Sequence, residues 1–157
     1  MPKTTPCLWF DTQAEEAATF YTTVFPNSRI TDVSRYPGGA GDRAGTVLTV
    51  EFELDGQAYV ALNAGPEFTF SEAISFQIPC AGQDEVDHYW NALTAGGGEE
   101  SQCGWLKDRF GLSWQVFPEE MSRLLSDPDP ERAQRAMDAM MTMKKIDLEA
   151  IEKAAAG

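Results

Sequence analysis

Apolar positions in the first part of the chain recur at two spacings, one typical of strands and one typical of helices. The apolar run Cys7–Phe10 predicts a strand, and apolar residues from Ala14 to Phe25 recur at helical spacing. Alternation predicts three further strands, with the hairpin signal Asp55-Gly56 before the last of them. These strands cover residues 29–36, 46–54 and 57–63. The pattern therefore predicts a β-α-β-β-β unit whose glycine-rich loop, residues 37–45, is a candidate lid.

The same order of elements begins again after the break at Gly65 and Pro66. A strand is predicted at 73–80, and an amphipathic helix at 83–95 ends at a run of glycines. Three short strands complete the pattern, at 99–103, 104–108 and 112–117. A shift of 70 residues sets Leu8 on Ile78, Gln13 on Gln83, Glu15 on Glu85 and Phe20 on Trp90. We interpret the chain as an internal duplication.

Beyond residue 118 the pattern is helical only. Asp129, followed by proline, is a predicted N-cap, and a last helix is predicted from Asp147. Ile146 and Ile151 are placed to form a hydrophobic staple across that second cap. An apolar stripe on the first of these helices is expected to contact a second copy of the chain: Ala133, Ala136, Met137, Met140 and Met141.

The predicted fold class is α+β, with paired β-α-β-β-β modules and a C-terminal helical tail. The modules cover about 5–64 and 72–118 of a domain at 1–118, and the tail covers 119–157. Because helices cover one side of a sheet, we expect the two sheets to curve around a shared cleft with the helices outside. The cleft is the expected ligand site.

Composition restricts the partners of the protein. The 25 acidic and 12 basic residues give a formal net charge of −13, which repels phosphate backbones and anionic lipid headgroups. We therefore expect neither nucleic acid nor membrane as a partner. Cys7, Cys80 and Cys103 form no CxxC pair, and no apolar run has the length of a signal peptide or a membrane span. The expected location is the cytoplasm.

Residue types for metal binding or nucleophilic catalysis are scarce. His88, the single histidine, lies on the second predicted helix, which disfavours both a zinc cluster and a serine-histidine-carboxylate triad. The glycines of the 37–45 loop lack the lysine-serine pair of a phosphate-binding loop. Amide, hydroxyl and aromatic side chains on the strands remain as ligand-binding candidates: Tyr59, Asn63, Gln77, Trp105, Ser113, Gln115 and Phe117.

Strand alternation assigns these candidates to the faces of the sheets. Ser113, Gln115 and Phe117 share one face of the last strand, and Tyr59 shares a face with Asn63. We expect the faces that hold Asn63 and Gln115 to line the cleft. The core is the alternative position for each aromatic ring and for both amides, since a buried amide needs hydrogen-bond partners.

Several runs of residues resemble the PhnB-like branch of the glyoxalase, bleomycin-resistance and dioxygenase superfamily, also called vicinal oxygen chelate proteins. They include residues 6–10, 14–17, 25–28, 72–75 and 103–116. The resemblance implies the paired fold and commonly a homodimer. Members often carry the label 3-demethylubiquinone 3-methyltransferase, but this chain lacks the glycine-rich opening that binds a methyl donor, so that activity is not expected.

The resemblance also indicates where a metal would bind. In metal-dependent relatives, histidines or glutamates from the first and fourth strands of each unit converge on one ion. The positions here are Pro6, Tyr59, Phe76 with neighbouring Ser75, and Gln115. None is a histidine or a carboxylate, the ligands that such divalent metals require. We therefore expect neither a metal nor another cofactor.

Two functions from different classes remain open. The first is metal-free binding of a small organic ligand between the aromatic walls of the cleft, and the acidic surface would suit a cation. The second is an enzyme of the same superfamily, a lyase, dioxygenase or resistance-type transferase. It would use Tyr59, Cys7 or Glu51 as an acid or base, or bind a metal elsewhere. Binding is preferred, and modules paired within one chain or swapped across a dimer are both compatible with the sequence.

Overall fold

Each of the two repeats folds into a four-stranded sheet with a helix packed on it, in a computed structural model that describes residues 2–157. The chain divides into a first unit that ends at Thr69 and a second unit, Phe70–Gly157. The helical tail belongs to the second unit. The predicted α+β class with paired β-α-β-β-β modules is therefore confirmed.

The first unit has the strand order β1-β4-β3-β2, in which β1 and β4 are parallel and the other pairs are antiparallel. Its elements are β1 (Cys7–Phe10), α1 (Ala14–Val24), β2 (Arg29–Arg35), a 3-10 turn (Gly41–Arg43), β3 (Val47–Leu54) and β4 (Gln57–Asn63). Asp55 and Gly56 both have positive φ, 47° and 84°, as a two-residue turn of type I′ requires. The hairpin prediction is confirmed.

The second unit repeats this connectivity with the order β5-β8-β7-β6. Its elements are β5 (Ser75–Cys80), α2 (Gln83–Thr94), β6 (Glu99–Glu100), β7 (Trp105–Lys107), β8 (Ser113–Pro118), α3 (Glu119–Leu125), α4 (Pro130–Met140) and α5 (Leu148–Ala156). The sixth strand is shorter than predicted because Cys103 and Gly104 turn the chain with φ of 56° and 85°. The identical strand order supports the duplication.

The alignment of the two repeats needs one correction. A shift of 70 residues fits the strands, since β1 ends at Phe10 and β5 at Cys80. The helices require a shift of 69, because α1 begins at residue 14 and α2 at residue 83. Buried Tyr21, not Phe20, therefore corresponds to buried Trp90. The cause is a strand-to-helix connection that is one residue shorter in the second unit.

Aromatic stacking fills the core of the first unit. The Phe52 ring of β3 stacks on Tyr59 of β4 and on Tyr21 of α1, with ring centroids 5.4 and 6.3 Å apart. The buried Ala17 and Ala18 on α1 leave the room that these rings need beside the sheet.

A buried carboxylate organises the turn between β7 and β8 in the second unit. Asp108 is 3% exposed, and its Oδ1 accepts hydrogen bonds from the backbone N–H groups of Phe110 and Leu112 at 2.9 and 3.1 Å. Its Oδ2 accepts from the indole Nε1 of Trp114 at 2.9 Å. Both acceptor oxygens of this side chain are thus used within the fold.

The tail forms its own small core against the second unit. Asp129 accepts from Glu131 N and Asp147 from Ala150 N, so both predicted N-caps are confirmed. Ile146 and Ile151 are fully buried in a cluster with Leu124.

On the predicted methionine stripe, Met140 packs against this cluster, whereas Met137 and Met141 are 38% and 59% exposed. Dimer formation through the stripe stays a prediction. None of the helices within residues 2–157 has the length and apolarity to cross a membrane.

The Asp108→Asn substitution should destabilise the protein by about 3 kcal/mol, because an amide nitrogen cannot accept the N–H groups that the carboxylate binds. Urea unfolding measures the change in the free energy of unfolding. Asp138→Asn is the control, since Asp138 is exposed on α4 and should change stability by less than about 0.5 kcal/mol. Equal effects of the two substitutions would contradict the structural role of Asp108.

Alanine substitutions at two glycines with nearly the same φ distinguish the cost of backbone strain from the cost of steric overlap. Gly104 and Gly111 have φ of 85° and 88°. A Cβ on Gly104 would lie 2.7 Å from the carbonyl oxygen of Val116, whereas a Cβ on Gly111 would meet nothing within 4 Å. Gly111→Ala should cost about 1 kcal/mol through the left-handed φ alone, and Gly104→Ala at least about 2 kcal/mol more. Thermal unfolding of both variants tests the order, and a costlier Gly111→Ala would refute it.

Candidate functional site

Each sheet has one face covered by α1 or α2 and a second face that neither of these helices covers, which we call the helix-free face; in the second unit the tail reaches this face at Phe117. In the second unit, buried Ile78 and Val116 face α2, which leaves Gln77 and Gln115 side by side on the helix-free face. Trp105 of β7 is the ladder partner of Gln115 on its other side. The structure therefore brings together three of the predicted site residues in one row across three strands.

Hydrogen bonds join the two amides of this row to a hydroxyl. Gln115 Nε2 donates to Ser75 Oγ over 2.8 Å, and Gln77 Nε2 donates to Gln115 Oε1 over 3.5 Å. The second contact is long for a hydrogen bond, so the exposed Gln77 keeps most of its hydrogen-bonding capacity for another partner. We call Ser75, Gln77, Trp105 and Gln115 the amide row.

Two further predicted site residues lie on β8. Ser113 is 1% exposed, and its Oγ has no hydrogen-bond partner within residues 2–157. Phe117 packs against the tail cluster around Ile146. Their participation in ligand binding stays a prediction.

Lys107 is the ladder partner of Ser113 and lies near this face. It forms an ion pair with Glu72, so the positive charge of Lys107 is already compensated.

Tyr59 and Asn63 lie on the helix side of the first sheet, contrary to the expectation that their face would be open. The Tyr59 ring belongs to the aromatic stack on Phe52. Asn63 Oδ1 accepts from Ala14 N at the start of α1 over 2.8 Å, and its Nδ2 donates to the Val47 carbonyl over 3.1 Å. Asn63 thus holds the start of the helix and the start of β3 to the end of β4.

The residues that correspond to the amide row in the first unit are different ones. Cys7 is the ladder partner of Val60 as Gln77 is of Gln115, and Glu51 is the other ladder partner of Val60. The helix-free face therefore carries Cys7, Val60 and Glu51 in one row. The predicted metal positions Pro6, Tyr59 and Phe76 each lie one residue before the row residue of their strand, Cys7, Val60 or Gln77, and a shift of one residue exchanges the two faces of a strand.

The side chains at these positions do not fit the divalent metal of metal-dependent relatives. The first row offers a thiol and a carboxylate on either side of an apolar valine, and the second offers two amides, a hydroxyl and an indole, all of them neutral. Within residues 2–157, no group of three or more His, Cys, Asp and Glu is placed to hold a metal ion. Sites for these metals use three or four imidazole, thiolate or carboxylate ligands.

Two of the three candidate bases, Cys7 and Tyr59, are poorly suited to remove a proton near pH 7. Burial raises the pKa of the Cys7 thiol and of the Tyr59 hydroxyl above their ordinary values. Both groups therefore stay protonated at neutral pH. Burial also raises the pKa of Cys80 to about 12, which makes this thiol unreactive.

The first unit also contains a cavity of about 390 Å³ that the sequence did not predict. It lies at the edge of the sheet where β1, β2 and β4 end and β3 begins, next to the start of α1. Three carboxylates line it, from Asp11, Glu15 and Asp42, together with Arg43 and Asn63. The sequence had named Asn63 as a ligand-binding candidate and the 37–45 loop as a candidate lid, but only the strand order places them beside Asp11 and Glu15.

Hydrogen bonds hold the walls of this cavity. Tyr36, the residue after β2, donates its hydroxyl hydrogen to the carbonyl of Asn63. The Arg43 guanidinium lies 5.7 Å from the centre of the Tyr36 ring, and its Nη1 donates to the Tyr36 hydroxyl over 3.3 Å. The 37–45 loop is thereby joined to the end of β4.

Comparisons with known proteins agree with this topology. Residues 2–117 match the family model described as 3-demethylubiquinone-9 3-methyltransferase. A PhnB protein from Bacillus cereus is 32% identical over 74% of this chain and 99% of that chain, with a TM-score of 0.68. A protein from Pseudomonas aeruginosa, 20% identical over 76% of this chain and 98% of that chain, has the same fold with a TM-score of 0.64. No curated protein matches the chain.

The family match covers both units, and the Bacillus cereus structure agrees with this chain in sequence and in fold. The chain therefore belongs to the PhnB-like family described as 3-demethylubiquinone-9 3-methyltransferase, as its sequence resemblance indicated.

Proposed function

We propose that the protein binds a small organic ligand, without a divalent metal, on the helix-free face of the second sheet. The observation that carries this proposal is the amide row, in which Gln77, Gln115 and Ser75 form a short chain of hydrogen bonds beside Trp105. Convergent polar groups beside an aromatic ring are typical of small-molecule sites.

The chemistry of the row favours a neutral ligand with both donor and acceptor groups. Each glutamine amide can donate and accept, so a planar amide or carbonyl compound could replace the long contact between Gln77 and Gln115. The face of Trp105 would then contribute stacking. The ion pair between Lys107 and Glu72 disfavours a ligand that depends on a formal charge at this row.

We do not propose a methyltransferase activity, although the description of the family names one. The chain has no glycine-rich strand-to-helix turn of the kind that binds a methyl donor. An enzyme of the superfamily is the alternative. It is less well supported because the thiol of Cys7 and the hydroxyl of Tyr59 have raised pKa values, and because no three His, Cys, Asp or Glu side chains within residues 2–157 are grouped to hold a metal.

Metal content tests the first half of the proposal. Protein purified without chelator should contain far less than stoichiometric zinc, nickel, manganese or iron by elemental mass spectrometry. None of these ions should raise the melting temperature, whereas a specific ion at a hundredfold its Kd would add about 2.7 kcal/mol to stability. A stoichiometric metal that is lost in Glu51→Gln or Cys7→Ser would refute metal-free binding.

A thermal-shift screen of planar neutral amides and heteroaromatic compounds tests the second half. The strongest binder of the unmodified chain should bind Gln115→Leu about tenfold more weakly, since one or two hydrogen bonds are removed. Gln134→Leu is the matched control, because Gln134 is exposed on α4 and outside the row. No saturable binder in the screen, or equal losses in the two variants, would contradict the proposal.

A further inference from the structure

The two units differ at one equivalent place, the edge of the sheet beside the start of the helix. In the second unit, residues of the tail occupy this edge. Gly104 N, just before β7, donates to the Lys144 carbonyl over 2.8 Å. Gln83, the first residue of α2, donates to the Ile146 carbonyl and accepts from Leu148 N, each over 2.8 Å.

The tail segment also brings a cation to this edge. Lys145 Nζ lies 2.8 Å from a carboxylate oxygen of Asp87 in the second turn of α2. The hydrogen bond from Lys145 holds the pKa of Asp87 below its ordinary value, with Gln83 as a second donor. The ammonium group of Lys145 therefore lies beside the first turns of α2, among the tail groups that occupy this edge of the second sheet.

The first unit has the cavity of about 390 Å³ at the corresponding edge. The carboxylates of Asp11, Glu15 and Asp42 line it, and none of them forms an ion pair or side-chain hydrogen bond with any residue in 2–157. The single lining cation, Arg43, is directed to the Tyr36 ring and hydroxyl instead. The lining side chains thus leave a formal surplus of negative charge.

A metal ion would not satisfy this arrangement. The three carboxylates do not form a group that could hold a metal, as noted above for residues 2–157. The volume lies within the range of sites for small organic molecules. Val47 and the Tyr36 ring supply apolar surface between the charged groups.

We propose that this cavity is a second ligand site, which binds a small organic cation with an ammonium group on a short apolar body. The ammonium group lies among the carboxylates of Asp11, Glu15 and Asp42, and the apolar body packs on Val47 and Tyr36. The site is contained in the first unit and does not depend on the amide row.

Binding of phenethylamine to the full chain tests this site, with 2-phenylethanol as the neutral counterpart and 3-phenylpropionate as the anionic one. Titration followed by amide chemical shifts should give saturable binding of the amine alone, weakened by salt. Glu15→Gln and Asp42→Asn should each reduce its affinity about fivefold. Glu131→Gln is the matched control, since it removes a carboxylate from the first turn of α4 and should change nothing.

Arg43→Gln keeps the test decisive if the acidic variants fold poorly. It removes the cation from the cavity wall and should strengthen amine binding about fivefold, a gain that misfolding cannot produce. Equal affinity for amine and alcohol, no saturable binding of the amine, or equal effects of Glu15→Gln and Glu131→Gln would overturn the proposal. Gln115→Leu should leave amine binding unchanged, which separates this site from the amide row.

Discussion

The burial of one face of each sheet under a single helix is the constraint on which the rest of the structure depends. Successive residues of a strand point to opposite faces, so each strand residue is committed either to the helix or to the helix-free face. In the first unit, this places Tyr59 in the stack with Phe52 and Tyr21. In the second unit, it leaves Gln77 and Gln115 available for chemistry. Only side chains that are not packed under the helix are available to contact a ligand.

The sequence predicted the elements, the duplication and the tail caps, because these depend on local spacing and on capping residues such as Asp129 and Asp147. It also named three of the four residues of the amide row, all but Ser75, and it assigned Gln115 to the open face because this polar residue stands between the buried Trp114 and Val116. On β4 the run around Tyr59 is apolar on both faces, so alternation could not say which residues face the helix. The cavity was missed for a different reason: its walls come from two connections, β1–α1 and β2–β3, and from the ends of α1, β3 and β4, which only the strand order brings together.

The two candidate sites in this chain would recognise ligands by different physical means. The amide row is neutral and directional, with hydrogen bonds that lie beside an indole ring. The cavity of the first unit carries unpaired carboxylates and depends on charge, so salt should affect it more than the row. Neither site, within residues 2–157, groups three side chains of the kind that hold a metal ion.

The attachment of the tail to Gln83 makes the two copies of the duplicated unit thermodynamically unequal. Helix α5 has nine residues, too few to be stable in isolation, so its order depends on the small core around Ile146 and on the start of α2. Opening of that helix start would release the tail as well. The start of α1 in the first unit has no such link to a further segment: the Asn63 hydrogen bond to Ala14 N and the burial of Ala14 against its own sheet hold it.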